Sequence, residues 1–112
     1  YFDVAETLRE LLELDDHQVA VAYSGAEGLA KAREFHPEVV LCDIGLPNMS
    51  GYDVARAFRK DETLNGMLLV ALSGYALPED VRRAIDAGFD CHLAKPVDME
   101  ELTRVLARVQ DR

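Results

Sequence analysis

The sequence has no tryptophan, only two cysteines and only four prolines in 112 residues. Cys42 and Cys91 lie far apart with no C-x-x-C spacing, which excludes a disulfide framework and a metal knuckle. Each sits in or beside an apolar run and reads as a small buried hydrophobe. His17, His36 and His92 have no metal-ligand spacing among themselves or with the cysteines, which excludes a zinc site. No apolar run approaches the roughly 20 residues of a membrane span, and Tyr1-Phe2-Asp3 resembles neither a signal peptide nor a transit peptide. The chain therefore reads as cytosolic. Positive charge is scarce: 12 Lys and Arg against 21 Asp and Glu give a net charge of −9, which repels nucleic-acid phosphates and anionic lipid alike. No methionine opens the sequence, so it is expected to begin inside a longer natural sequence or after processing.

What remains is one ordinary domain over residues 1–112, with 49% apolar residues and 29% charged residues. Four apolar runs read as strands: Gln18–Ala22, Glu38–Cys42, Met67–Leu72 and Phe89–Ala94. The second and third show little polar alternation, as strands buried on both faces do. Between them lie segments of helical period. Val4, Leu8, Leu11 and Leu12 share one face, and Leu102, Val105, Leu106 and Val109 share another. Asp3-x-x-Glu6, Ser24-x-x-Glu27 and Asp98-x-x-Glu101 each offer a capping acceptor with a carboxylate three residues on. A further helix is expected from about Tyr52, using Val54, Ala55 and Phe58 as its inner face, and another from Pro78 to Gly88. Strict alternation of helix and strand implies a parallel sheet covered by helices on both sides. The first helix has no strand before it, so one strand is missing from the pattern.

Ligands of open parallel α/β sheets bind beyond the carboxyl ends of the strands. The residues that follow the apolar runs there are Asp43, Ser73 and Lys95. A carboxylate at such a position can act as a nucleophile toward a phosphoryl group if cations neutralise the incoming charge, and Lys95 supplies one such charge. A hydroxyl at Ser73 could bond a phosphoryl oxygen only once phosphate is present, which makes it a sensor of modification. The remaining negative charge calls for a divalent cation such as Mg²⁺.

The segment Val39-Val40-Leu41-Cys42-Asp43-Ile44-Gly45-Leu46-Pro47-Asn48-Met49-Ser50-Gly51-Tyr52 resembles the phosphoacceptor segment of response-regulator receiver domains. Ala71-Leu72-Ser73-Gly74-Tyr75 and Lys95-Pro96 resemble that family's later motifs at its separations, and the tract Gly88–Asp98 resembles receivers attached to hybrid sensor histidine kinases. The resemblance implies a flavodoxin-like doubly wound sheet of order 2-1-3-4-5 flanked by five helices. It implies Asp43 as phosphoacceptor and Mg²⁺ ligand, Ser73 as switch hydroxyl and Lys95 as phosphoryl-binding cation. The main-chain carbonyl of Gly45 would be a second Mg²⁺ ligand, and Lys95-Pro96 a cis peptide. His92 stands where many receivers carry a Tyr or Phe that swings inward when the hydroxyl moves. Expected partners are a histidine kinase or phosphotransfer domain and a downstream output protein, with no nucleic acid and no membrane. A contact face is expected around Arg82, Arg83, Leu102 and Arg104 on the last two helices.

The family also places an acidic, metal-holding pair at the end of its first strand, and alignment puts that pair immediately before Tyr1. Asp15 and Asp16 follow a helix and fall at the wrong end of the sheet to replace it. The rival reading is therefore a receiver-like interaction module that accepts no phosphate. A haloacid-dehalogenase-like phosphatase is a remote alternative, because its second Asp would fall at Gly45. A flavodoxin-type flavin protein lacks its phosphate loop here. On the leading reading the domain is a signalling phosphoacceptor with self-catalysed phosphotransfer and dephosphorylation, not an enzyme. Glu79, Asp80 and Asp90 read as solvated surface acids.

Overall fold

The computed structural model describes residues 2–14, 17–22, 24–44, 50–74, 77–95 and 97–110, without the side chains of 2–7 and 109–110. Its helices are α1 (Phe2–Leu14), α2 (Gly25–Phe35), α3 (Gly51–Lys60), α4 (Pro78–Ala87) and α5 (Met99–Gln110). Its strands are β1 (Val39–Asp43), β2 (Leu68–Ser73) and β3 (Cys91–Ala94), parallel and in the order β1-β2-β3.

The register explains how one sheet carries two cores. β1 pairs with β2 from Val39↔Leu68 to Asp43↔Leu72, and β2 pairs with β3 from Val70↔Cys91 to Ser73↔Ala94. Successive side chains alternate between faces. Leu69 and Ala71 therefore join Cys42 and the inner faces of α2, α3 and α4, through Leu29, Tyr52, Ala55, Phe58 and Ala84. Leu68, Val70 and Leu72 face the other way, toward Leu12 of α1 and Leu102 and Val105 of α5. The first five residues of β2 are buried, which accounts for a run with no polar alternation.

Local chemistry sets the element ends. Ser24 accepts the Glu27 N–H at 3.1 Å and Ser50 accepts the Asp53 N–H at 3.3 Å, capping α2 and α3. The Asp98 carboxylate accepts the Glu100 N–H at 2.8 Å ahead of α5. Pro78 lies in the first turn of α4, and Gly88, at φ +125°, closes that helix as the Pro-first, Gly-last pattern predicts. α2 ends instead on His36 at φ 51°, in the left-handed region that favours glycine. In the loop after α3, the Thr63 hydroxyl and backbone N–H, and then Arg33, hold the Asp61 carboxyl below its ordinary range.

Three expectations need correction. Gln18–Ala22 forms no strand among the described residues; it runs alongside as an unpaired segment, with Val19 packed in the α1/α5 core and Lys31 Nζ donating to the Val21 carbonyl. In the order 2-1-3-4-5 that strand bonds only to the family's first strand, and no such neighbour stands among the described residues to complete its ladder. α1 begins at Phe2, so Asp3 lies inside the helix and not at its cap. β3 starts at Cys91, two residues later than the apolar run, because Phe89 is committed to the α2–α4 core and Asp90 to a side-chain network.

Candidate active site at the carboxyl end of the sheet

Asp43 is the last residue of β1 and pairs with Leu72, which in turn pairs with Leu93. Lys95 lies two residues beyond Leu93, so alternation carries it to the same face as Asp43. The two meet: Lys95 Nζ donates to Asp43 Oδ2 in an ion pair whose side chains are 27% and 24% exposed. That partial burial strengthens the attraction relative to a fully solvated pair while leaving the carboxylate accessible. Ser73, the last residue of β2, follows Leu72 directly, and its carbonyl accepts the Lys95 N–H at 2.8 Å. This main-chain bond extends the β2–β3 alignment to Lys95 itself. The side chains of Asp43 and Lys95 meet, and the main chain of Ser73 lies against that of Lys95 at the same end of the sheet.

A fourth contributor escaped the motif reading. Gly51, the first residue of α3, is buried, and its N–H donates to the Ile44 carbonyl at 3.0 Å. A Cβ added there would lie 2.6 Å from Ile44 Cα and 3.0 Å from the Asp43 carbonyl oxygen. The backbone of Asp43 and Ile44 is thus set against a helix start that only glycine permits. Gly51 stands in the segment that resembles the phosphoacceptor motif without a role of its own; its signal for close approach is its place just ahead of an apolar helix face.

His92 is half-buried in β3, and its Nε2 is buried with no hydrogen-bond partner among the described residues. Cys42, next to Asp43, is buried as expected; desolvation, then the Asp43 charge, push its thiol up to about 12. Cys91 is half-buried, and burial raises its thiol pKa although Arg108 opposes the shift. Gly45 and Pro96, and with them the expected metal-binding carbonyl and cis peptide, lie outside the described residues, as do Asp15 and Asp16. No group of three or more metal-binding side chains occurs among the described residues. Asp43 is the carboxylate the described cluster offers, and Mg²⁺ is commonly held by one or two carboxylates, phosphate oxygens and several waters, so this donor fits as an anchor of such a site.

Elsewhere two expectations fail. Leu102 is 0% exposed in the α1/α5 core and cannot belong to a contact face. The apolar residues exposed in that region are Leu77, Ile85 and Met99, while Arg83 lies over the Tyr52 ring at 4.3 Å in a cation–π contact. Asp90 is not a merely solvated acid: its Oδ2 accepts both Arg59 Nη2 and the Leu69 N–H at 2.8 Å. Arg59 also donates to the carbonyls of Gly88, Asn65 and Met67, tying α3 to the starts of β2 and β3. Arg59, Asn65, Met67 and Asp90, with Gly66, Leu68 and Arg108, line a polar cleft of about 310 Å³ at the end of the sheet opposite Asp43.

Known proteins resemble this chain in sequence and fold. The family model for the response regulator receiver domain matches residues 2–107. The polar-differentiation response regulator DivK of Brucella ovis is 33% identical over 91 residues, 81% of this chain and 74% of that protein. A response regulator structure from Chloroflexus aurantiacus superimposes with a TM-score of 0.90 at 26% identity, over 98% of this chain and 90% of that one. The receiver domain of a sensor histidine kinase from Pseudomonas aeruginosa, solved with a magnesium ion coordinated in its active site cleft, gives 0.86 at 29% identity, over 98% and 91%. These neighbours have the flavodoxin-like receiver fold, and the β1-β2-β3 sheet supplies the 3-4-5 part of its strand order. The chain belongs to the response regulator receiver domain family of two-component signalling.

Proposed function

We propose that this domain accepts a phosphoryl group on Asp43 from a phosphohistidine and signals through the change that follows. The observation that carries this reading is the Asp43–Lys95 pair at the carboxyl end of the sheet, beside Ser73. In the transfer, a carboxylate oxygen of Asp43 attacks phosphorus, an acyl phosphate forms, and the P–N bond breaks. Its electrons stay with the departing imidazole, which takes a proton from solvent. Lys95 moves from the carboxylate to the phosphoryl oxygens, where charge builds up. The Ser73 hydroxyl donates to a phosphoryl oxygen once the group has arrived and so reports its presence. Mg²⁺ would be held by Asp43, together with the Gly45 carbonyl that the family resemblance implies, and would supply further charge neutralisation. Hydrolysis of the acyl phosphate by water resets the domain.

His92 occupies the switch position of this reading. The donor is a histidine kinase or phosphotransfer domain, and the tract Gly88–Asp98 favours a setting within a hybrid histidine kinase. No helix among the described residues is long and apolar enough to cross a membrane, and the proposed setting is the cytoplasm. The exposed residues Leu77, Ile85 and Met99, with the exposed Arg82 and Arg104 on the same two helices, replace Leu102 as the proposed partner contacts.

The test is the intact mass of the protein before and after incubation with a small-molecule phosphodonor and Mg²⁺. A gain of one phosphoryl group, lost in Asp43→Asn, supports the reading. Retained labelling in Asp43→Asn sinks it.

A further inference from the structure

The polar cleft at the amino end of the sheet takes no part in the chemistry at Asp43. Two groups that line its 310 Å³ carry opposite charges on separate elements: Asp90, immediately before β3, and Arg108, in the last turn of α5. No ion pair joins these two among the described residues. Asp90 Oδ2 accepts Arg59 Nη2 and the Leu69 N–H, while Oδ1 has no partner among the described residues. Arg108 Nη1 donates to Cys91 Sγ at 3.5 Å, and a thiol sulfur is a weak acceptor. The rest of the Arg108 fork has no partner among the described residues. Arg59, the other arginine of the cleft, is already committed to Asp90 and three main-chain carbonyls.

A ligand of one sign fits this cleft poorly. An anion drawn to Arg108 meets the Asp90 carboxylate and the carbonyl ends of α3 and α5, which carry partial negative charge. A cation drawn to Asp90 meets Arg108, with Arg59 close behind. A molecule that carries both charges turns both repulsions into attractions. We propose that the cleft binds a small zwitterion of the α-amino acid class, its carboxylate on the Arg108 fork and its ammonium on Asp90 Oδ1. A planar guanidinium takes a carboxylate through two parallel bonds, which adds direction to the attraction. Asn65, exposed beside them, adds a carboxamide that can serve either group. Met67 and Leu68 are committed to the two cores, so the cleft has little apolar wall and suits a small side chain. The ligand is neutral overall, so the chain's net charge of −9 does not repel it. Once bound, it ties α5 to the start of β3, and the site stands whether or not Asp43 takes a phosphoryl group.

The test is an NMR titration of the amide groups of the whole chain with glycine, with acetate and methylammonium as single-charge controls at matched ionic strength. Glycine is expected to shift the amides of Gly66, Leu69 and Asp90 saturably. Acetate and methylammonium are each expected to bind at least about tenfold more weakly, the worth of one lost charged contact. Arg108→Gln, at an exposed position, is expected to raise the glycine Kd by about the same factor. Acetate binding as tightly as glycine overturns the proposal and leaves a general anion site. No saturable shift with glycine, or a glycine Kd unchanged in Arg108→Gln, overturns it outright. None of these results bears on Asp43, whose test is phosphoryl uptake.

Discussion

At the scale of single residues, two cations do opposite work. Lys95 is a point charge paired with the Asp43 carboxylate, and on the proposed reading a phosphoryl group takes that partner's place. Removing it in Lys95→Ala is expected to leave some phosphoryl uptake on Asp43 but to abolish any phosphorylation-dependent gain in partner affinity; an unchanged gain, read by titration calorimetry, counts against its role. Arg59 is a fixed fork, with its nitrogens on the carbonyls of Gly88, Asn65 and Met67 and on Asp90. These acceptors lie in different directions, so a lysine cannot satisfy them together. Arg59→Ala is expected to destabilise the fold by about 2–3 kcal/mol, with Arg59→Lys recovering less than half. The check is the urea midpoint at unchanged slope. Asp43 and Lys95 were legible in the sequence because each directly follows an apolar run. Arg59 and Asp90 were not, because their partners are mostly main-chain carbonyls and an N–H, which no side-chain pattern announces.

Among elements, the junction of β1 and α3 sets the site. Ser50 caps the helix, Gly51 lets it press on the strand end, and Tyr52, Val54 and Phe58 anchor it in the core. A methyl group at Gly51 meets main-chain atoms of Asp43 and Ile44, which cannot swing aside as a flexible side chain would. Gly51→Ala is therefore expected to cost about 1–3 kcal/mol, as overpacking does, and to lower phosphoryl uptake by shifting Asp43. Thermal unfolding measures the first effect and intact mass the second; a destabilised variant with full uptake would show that the junction holds the fold without aiming the carboxylate. The five helices were legible because their apolar faces are local, as are the capping residues of α2 and α3. β2 was legible from its unbroken apolar run, but Gln18–Ala22 was not a strand despite its composition, since a strand exists only when a neighbour completes its ladder. Leu102 shows the same limit: its helical period placed it on an inner face, while its nearness to exposed arginines suggested a surface role that the packing of α5 rules out.

For the whole molecule, the sheet divides the interior into two cores, and each contains one cysteine. Cys42 belongs to the core under α2, α3 and α4, and Cys91 borders the core under α1 and α5. The pKa of the Cys42 thiol is raised from 9.0 to about 12, so at pH 8 nearly all of it is protonated, whereas Cys91 is half-buried. Iodoacetamide at pH 8 is therefore expected to label Cys91 first, with Cys42 reacting only as fast as the domain opens. Peptide mass mapping over time checks the order, and labelling of Cys42 ahead of Cys91 counts against the two-core packing. The same shift predicts how the fold answers alkali. Above pH 9 the unfolded chain releases the Cys42 proton while the folded chain retains it up to about 12. The folded state then binds more protons, so stability falls as pH rises through that window, with a slope of up to about 1.4 kcal/mol per pH unit from this one group. Below pH 9 both states hold the proton and the contribution is flat. Cys42→Ala, which removes the titrating group at the cost of a small cavity, is expected to start less stable at pH 7 yet to lose stability more slowly between pH 9 and 11. Urea midpoints across that range decide the matter: parallel losses in the two proteins would mean that alkaline unfolding starts from groups other than this buried thiol beside Asp43.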